Sequence, residues 1–545
     1  MRLLIARNAL SIGFATLILF LVLIQPNHPA AMTWGALRLF PLELPAILLA
    51  LLALGQTRLS HGLRFVLVLV LTVIAALKVA DFVSFSALSR GFNPVADLFL
   101  FDAFIRLLSG AIGLFLTTVA IIGALLAVMM IAALLWWATG VWSSLRLPLN
   151  AARLSGLAAV LASGVAIADF GRTMGFWNLP VNPPGIAFTA RVGVERVMLI
   201  HTTLSQLRNF RATISDDAYA DERDLFSAID RDVLVIFLES YGRTSIDTPF
   251  YAQVHRDTLA RSEARLRGLG LSMRSGYLKA PTQGGQSWLS HATFANGLWI
   301  DSQSRYGAAL SSGRQTLFHH AANSGFRTGA VMPQITLDWP ESERMGFETV
   351  LAAADLGYEG LPFNWVTMPD QFTLAALDRL LRNGADDRHV FAQIALASSH
   401  APWVPVPDII PWDTIGDGSV YNEIAASGDP PEVVWRDRER VRVQYRKAID
   451  YSLQAVFEYA ALHAEDPPLM IVIGDHQAAE FIALDGRPEV PFHLIGPDHL
   501  VSLMAMAAPQ PGLLPGEDTP VVAMDLMRDI LLDAYSVQPD IGLGN

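Results

Sequence analysis

Apolar residues are distributed unevenly along this chain, and that asymmetry limits its fold more than any other feature. Five runs lie within the first 171 residues: Leu10–Ile24, Leu39–Leu54, Leu63–Phe85, Leu108–Trp137 and Leu154–Phe170. Each reads as a membrane-spanning helix, which takes about 20 residues to cross the hydrocarbon core. The first, second and last are short and need their flanks. A cleaved secretory signal is the rival reading of the first run, because Arg2 and Arg7 precede it. Its only cleavage motif, Ala30–Ala31, is weak and four more apolar runs follow, so a retained helix is expected.

Basic residues near the run ends set the orientation. With the N-terminus inside, the inner side collects Arg2, Arg7, Arg58, Arg64, Arg146 and Arg153, and the outer loops hold Arg38, Arg90 and Arg106. Five crossings then deliver everything after about Arg172 to the outside, which in a two-membrane bacterium is the periplasm. An even number of crossings would leave the large domain in the cytoplasm instead. Residues 97–108 are apolar, with charges about four apart, and read either as an interfacial helix or as a tilted start to the fourth crossing.

The remaining composition narrows the function classes. Apolar residues are 52% of the 545 and charged residues only 17%, below the about 25% of an ordinary soluble domain. Lys and Arg number 39 against 51 Asp and Glu, a net charge of −12. That opposes nucleic-acid binding, which needs a basic footprint. There is no cysteine, which removes disulfides, thiolate zinc sites, iron–sulfur clusters and cysteine nucleophiles.

The character changes at residue 172. Residues 172–230 read as a linker: Asn178–Gly185 is Pro- and Asn-rich, Val192–Leu207 is an amphipathic helix, and Asp216–Asp224 is an acidic loop. From 231 to 545, short β-rich runs alternate with helical ones. The strands are Val233–Leu238, Thr328–Met332, Val390–Leu396, Leu469–Ile473 and Pro491–Ile495, with helices such as Phe372–Arg382 and Val441–Leu462 between them. This predicts an α-helical membrane domain over 1–171 and an α/β domain with a mostly parallel central sheet over 231–545.

Such sheets bind ligands beyond the carboxyl ends of their strands. The first strand runs into Glu239, the third into Ser398-Ser399-His400, and the fourth into Gly474-Asp475-His476. A carboxylate ending a buried strand needs a cation or hydrogen bonds to offset its burial. Two carboxylates and two imidazoles at one edge form an oxygen and nitrogen donor set suited to a divalent metal. Each residue alone has a bland reading, since Asp-His at a strand end is often only a turn.

A Gly-rich turn, Thr282-Gln283-Gly284-Gly285-Gln286, feeds Ser287 at the expected start of a helix, where amide groups and the helix dipole favour an anion such as phosphate. Ser287 is either a helix cap or a nucleophile whose hydroxyl a metal activates. His291 lies one helical turn on, on the same face, and either meets substrate or packs.

In this order the residues resemble the sulfatase-like branch of the alkaline phosphatase superfamily. Within it the chain looks like the membrane-anchored lipoteichoic acid synthase and phosphoglycerol transferase group, which also has five spans before an extracytoplasmic catalytic domain. The motifs are Phe237-Leu238-Glu239-Ser240, Gly285-Gln286-Ser287 and Gly474-Asp475-His476. The resemblance implies that Glu239, Ser287, Asp475 and His476 ligate one divalent metal, manganese in most of that group, with zinc or magnesium in its place otherwise. It makes Ser287 the nucleophile, where the synthases usually have Thr. It assigns His400 to the substrate phosphate or the leaving group. Trp339 and Arg344 are the candidates for its phosphate-binding Trp and Arg, which sit in a differently spaced segment.

The implied activity moves a phosphoglycerol-type head group from a membrane phospholipid to a glycan or glycolipid hydroxyl, through a phosphoserine. Sulfate ester hydrolysis is not expected, because Ser287 lacks the Pro and Arg offsets that sulfatases need for formylglycine. Phosphoethanolamine transferases share the fold but usually carry disulfides. A phosphodiester hydrolase of the same fold is a further reading, and a non-catalytic membrane receptor or scaffold is one of a different class. His493 reads as a packed strand residue, and 402–440, rich in Pro, Asp and Trp, as a lid, an acceptor loop or a plain surface loop.

Overall fold

The computed structural model describes residues 2–88, 91–97, 101, 105, 109, 113–179, 183–223, 225–336, 339–364, 367–383 and 386–536. The chain divides into two compact units, Met1–Arg208 and Asn209–Asn545.

In the first unit each apolar run forms a helix: Arg2–Ile24, Glu43–Leu54, Arg58–Leu88, Leu114–Ser143 and Leu149–Thr173. Three stretches, Arg58–Phe85, Leu114–Ser143 and Leu149–Thr173, are long and apolar enough to cross a membrane. Glu43–Leu54 has 12 residues, a rise of only about 18 Å. Two buried charged groups, Lys78 and Asp81, are paired within the unit. Lys78 Nζ donates to Leu23 O at 3.1 Å and to Thr189 Oγ1 at 2.8 Å, and Asp81 receives Arg196 and Asn27. These bonds seat the start of the amphipathic helix, Phe188–Ser215, within which the two units divide. Most of the stretch 97–108, and residues 180–182 of the linker, lie outside the described residues.

The second unit is built on one sheet of nine strands. They are β1 (Val233–Leu238), β2 (Ser272–Lys279), β3 (Arg327–Met332), β4 (Thr349–Ala352), β5 (Val390–Leu396), β6 (Leu469–Gly474), β7 (Glu489–Gly496), β8 (Gln510–Pro511) and β9 (Val521–Ala523). The order is β4-β3-β5-β1-β6-β7-β2-β8, with β9 beside β2. From β4 to β6 all pairs are parallel, and β1 is buried along its whole length, as expected for strands covered on both faces. Beyond β6 the sheet reverses: β7 is antiparallel to β6, and β2 to β7. The strand expected at Pro491–Ile495 is therefore not part of the parallel set. Its connection from β6 stays at one sheet edge and makes no crossover, so the chain returns antiparallel.

Register places the candidate site. Leu238 pairs with both Leu396 and Gly474, so β1, β5 and β6 end level and the residues after them meet at one edge. The approach is close. A Cβ on Gly474 would lie 1.8 Å from Tyr241 O, so Gly474→Ala is expected to cost about 3 kcal/mol or more. A thermal melt read by circular dichroism checks this.

The segment 402–440 is not a plain surface loop. Trp403, Val404, Ile415, Tyr421 and Val434 are buried in the main apolar core, and Trp403 stacks on Trp435 with centroids 5.7 Å apart. His493 is a packed strand residue, fully buried, with Nε2 3.1 Å from the Tyr241 hydroxyl. Burial pushes its pKa from 6.5 down to about 3. The native imidazole stays neutral, while the unfolded chain takes up a proton below pH 6.5. Its contribution is complete above 6.5 and is lost as the pH falls toward 3. At pH 5 the loss is about 2 kcal/mol. The stability difference between the wild type and His493→Gln is expected to narrow by that amount between pH 7.5 and pH 5 in urea titrations.

Candidate active site

Glu239, Asp475 and His476 stand where the level strand ends bring them. All three are buried, and one ligand atom from each lies within 4.8 Å of the others. Asp475 Oδ1 accepts from the amides of Ser240 at 2.8 Å and His476 at 2.6 Å. His476 Nδ1 is 3.0 Å from Gln477 O. That bond points Nε2 into the cluster, 3.1 Å from Glu239 Oε1, yet Nε2 makes no hydrogen bond.

With Nδ1–H on the carbonyl, the neutral ring turns a lone pair toward a carboxylate. Two acceptors at that distance need a cation between them, either a proton or a metal. Without a metal the proton fills the role. Burial opposes charge on His476, but the Asp475 and Glu239 carboxylates override it and lift its pKa to about 9. Burial and the charge on Glu239 push Asp475 up. Burial also acts on Glu239, but the adjacent imidazolium outweighs it and holds Glu239 below its ordinary value. An orphaned imidazole nitrogen and two buried carboxylates, with the ring anchored through its other nitrogen, fit a divalent cation.

Ser287 joins this cluster. It is the first residue of the helix Ser287–Asn296, and its Oγ donates to Glu239 Oε2 at 2.8 Å. It is not the helix cap, since Gln286 occupies that position. Gln286 has φ 66°, in the left-handed region, which costs a non-glycine residue energy. Among the described residues only four non-glycine residues share this region: Ser240, Gln286, Trp403 and Leu484. The first two adjoin Glu239 and Ser287, and Trp403 follows His400 by three positions. Strain of this kind persists where the surroundings dictate a geometry.

The other sequence-derived residues divide. His400 is partly exposed, with Nδ1 on the carbonyl of Ala401, and its charge acts on Glu239. His291 packs its ring on Phe237 at 4.1 Å, and its Nε2 is buried without a partner. Burial lowers its pKa to about 4, so the ring is neutral at pH 7. Trp339 packs near Phe347, with centroids 6.0 Å apart. Among the described residues neither Trp339 nor Arg344 hydrogen-bonds or ion-pairs with Glu239, Ser287, Asp475 or His476.

One positioning residue escaped sequence reading. Buried Asp370 accepts from the amides of Ala397 and Ser398, both at 2.8 Å, and from Ser452 Oγ at 2.6 Å. It clamps the turn that carries Ser399 and His400, and Ser399 Oγ in turn donates to Glu239 O at 2.6 Å. The one signal in the sequence is Pro369-Asp370 at a helix start.

No family model matches the sequence, and no curated protein does. Solved structures do match. The chain is similar to the lipoteichoic acid synthase LtaP from Listeria monocytogenes, at 12% identity over 62% of this chain and 78% of that one, with a TM-score of 0.36. It is similar to the phosphoglycerol transferase GacH of Streptococcus pyogenes, solved with sn-glycerol-1-phosphate, at 13% identity over 62% and 81%, with a TM-score of 0.37. A protein of the alkaline phosphatase superfamily from Vibrio parahaemolyticus matches at 15% identity over 61% and 75%, with a TM-score of 0.36.

Proposed function

We propose that this chain is a membrane-anchored, metal-dependent phosphotransferase that moves a phosphoglycerol-type head group from a phospholipid to a hydroxyl of a glycan or glycolipid. The observation that carries the reading is the Ser287 hydroxyl, hydrogen-bonded to buried Glu239 at a helix N-terminus. A nucleophile, an anion-favouring helix end and a cation-binding donor set converge there.

Glu239, Asp475 and His476, with the Ser287 oxygen, would hold one divalent cation, and manganese is the ion we propose. Bound there, such an ion lowers the pKa of a serine hydroxyl and offsets charge on phosphoryl oxygens. Ser287 Oγ attacks phosphorus, and the bond from phosphorus to the diacylglycerol oxygen breaks. The serine proton passes to solvent, because Glu239, held below its ordinary value, is a poor base. His400, whose Nε2 has no hydrogen bond among the described residues, protonates the departing diacylglycerol oxygen. In the second half it takes the proton of the acceptor hydroxyl, which attacks the phosphoserine; the bond from phosphorus to Ser287 Oγ breaks, and Oγ takes a proton back from solvent. Amides at the start of the Ser287–Asn296 helix favour the phosphoryl charge.

The same reading takes the five apolar helices as crossings of a bacterial inner membrane, with residues beyond 172 in the periplasm. Glu43–Leu54 needs its flanks to complete one.

Purified protein in nanodiscs with manganese and fluorescent phosphatidylglycerol is expected to release diacylglycerol and to carry phosphoglycerol on Ser287, read by mass spectrometry. Cleavage of phosphatidylethanolamine instead would make it a phosphoethanolamine transferase. Diacylglycerol release unaffected by any added glycan, with free glycerol phosphate as product, would make it a hydrolase. Manganese binding with neither lipid cleaved would favour the receptor or scaffold.

A further inference from the structure

After His476 the chain returns to β7 through one helical turn, Glu480–Ala483. Ile482 and Ala483 are fully buried, whereas Phe481 is 45% exposed and Leu484 51%. Three successive carbonyls pin the turn. Phe481 O accepts from Arg442 at 2.9 and 3.2 Å, Ile482 O from the Tyr251 hydroxyl, and Ala483 O from the Thr244 hydroxyl. The two outward side chains are therefore held in place. Leu484 has φ 59°, a region that favours glycine. A branched apolar residue there is strained and gains little burial in return.

This turn is joined to the nucleophile loop. Gly284 N donates to Gln477 O at 2.7 Å, and the Gln283 amide reaches Asp485 O at 3.3 Å. Trp288, directly after Ser287, is 40% exposed, with Nε1 fixed on Gln303 at 2.9 Å. Scattered exposed apolar residues need no explanation. Here they emerge from the two segments that carry Ser287 and Asp475-His476. The helix that supplies Arg442 begins at Arg438, one turn earlier on the same face. Arg436 and Arg438 are exposed and, among the described residues, have no ion pair. Glu432, Asp437 and Glu480 are exposed there too, and apolar tips among charges of both signs suit the interface of a bilayer.

We propose that Phe481, Leu484 and Trp288 form a rim that enters the interface of a phospholipid bilayer and receives the acyl-glycerol part of the donor beside Ser287. This rests on the lipid-donor reading above.

The absence of cysteine permits a direct test. Leu484→Cys in the full chain is labelled with nitrobenzoxadiazole and placed in phosphatidylglycerol nanodiscs with plain or brominated acyl chains. Phe481→Cys is the second probe, should the first fail to fold. Leu269→Cys is the control. Leu269 is 46% exposed just before β2, and Ser272 pairs with Gly496, so it lies at the sheet edge opposite Asp475. Brominated lipid is expected to quench the rim label about twofold and leave the control unchanged. Equal rim fluorescence in both discs overturns the proposal, as does shielding seen only with two protein copies per disc. Diacylglycerol release by the unlabelled protein separates the two readings. Release without quenching removes the rim and keeps the phosphotransferase. Quenching without release keeps a membrane-seated rim and removes its role toward a donor.

Discussion

The Ser287→Ala protein is expected to lose diacylglycerol release by about 10⁴-fold or more, the scale on which removal of a covalent nucleophile acts. Its fold should survive. Ser287 is partly exposed and, among the described residues, makes one side-chain hydrogen bond, to Glu239 Oε2 at 2.8 Å. A bond to a charged acceptor contributes about 1.5–3 kcal/mol, and Glu239 keeps its contact with His476. A modest fall in the melting midpoint together with near-complete loss of turnover would separate chemistry from stability. Ser287→Thr retains the hydroxyl and should retain measurable transfer. Because Gln286 occupies the cap position, the alanine effect is not a capping effect. Retention of more than about a hundredth of wild-type release would remove Ser287 as the nucleophile, since oxyanion stabilisation and binding alone leave far less.

The parallel core was legible because its strands are mostly apolar, with Gln393 the one polar residue inside β5. Val233–Leu238 and Val390–Leu396 are buried along nearly their whole length, so apolar runs between polar breaks mark them to the residue. β2, Ser-Met-Arg-Ser-Gly-Tyr-Leu-Lys, carries no such run, because Arg274 leaves the sheet to donate to Ala508 O and Pro509 O. β8 and β9 have two and three residues, below the length at which periodicity speaks. The reversal at β7 was also hidden, since strand direction is set by the connection and not by composition. In the site, Glu239, Asp475 and His476 were readable as polar residues ending apolar strands. Their meeting depends on the register of β1 with β5 and β6, which no local pattern contains. Asp370 was unreadable because its partners are backbone amides 27 and 28 positions away. For Trp339 and Arg344 only a resemblance of residue type was available, and among the described residues neither hydrogen-bonds or ion-pairs with the site cluster.

Asp475→Asn should separate cation binding from folding. The amide oxygen of asparagine can accept from Ser240 N and His476 N as Oδ1 does now, at 2.8 and 2.6 Å. Its NH₂ can donate toward Glu239, in place of a second buried negative charge. The metal-free variant is therefore expected to melt at or above the wild-type midpoint, because burial and the neighbouring carboxylate penalise a charged Asp475. Cation affinity moves the other way. Altering an outer-shell partner commonly costs 10–100-fold, and removing a charged direct ligand should cost at least about 100-fold. At a manganese concentration 100 times the wild-type Kd, the ion stabilises the wild type by about 2.7 kcal/mol. The same concentration then only equals the variant's Kd, and the stabilisation falls to about 0.4 kcal/mol. Thermal melts with and without manganese read both effects in one experiment. A variant that keeps the full manganese shift would show that Asp475 is not a ligand. A variant that melts far below the metal-free wild type would show instead that its charge holds the strand ends together, through the amides of Ser240 and His476.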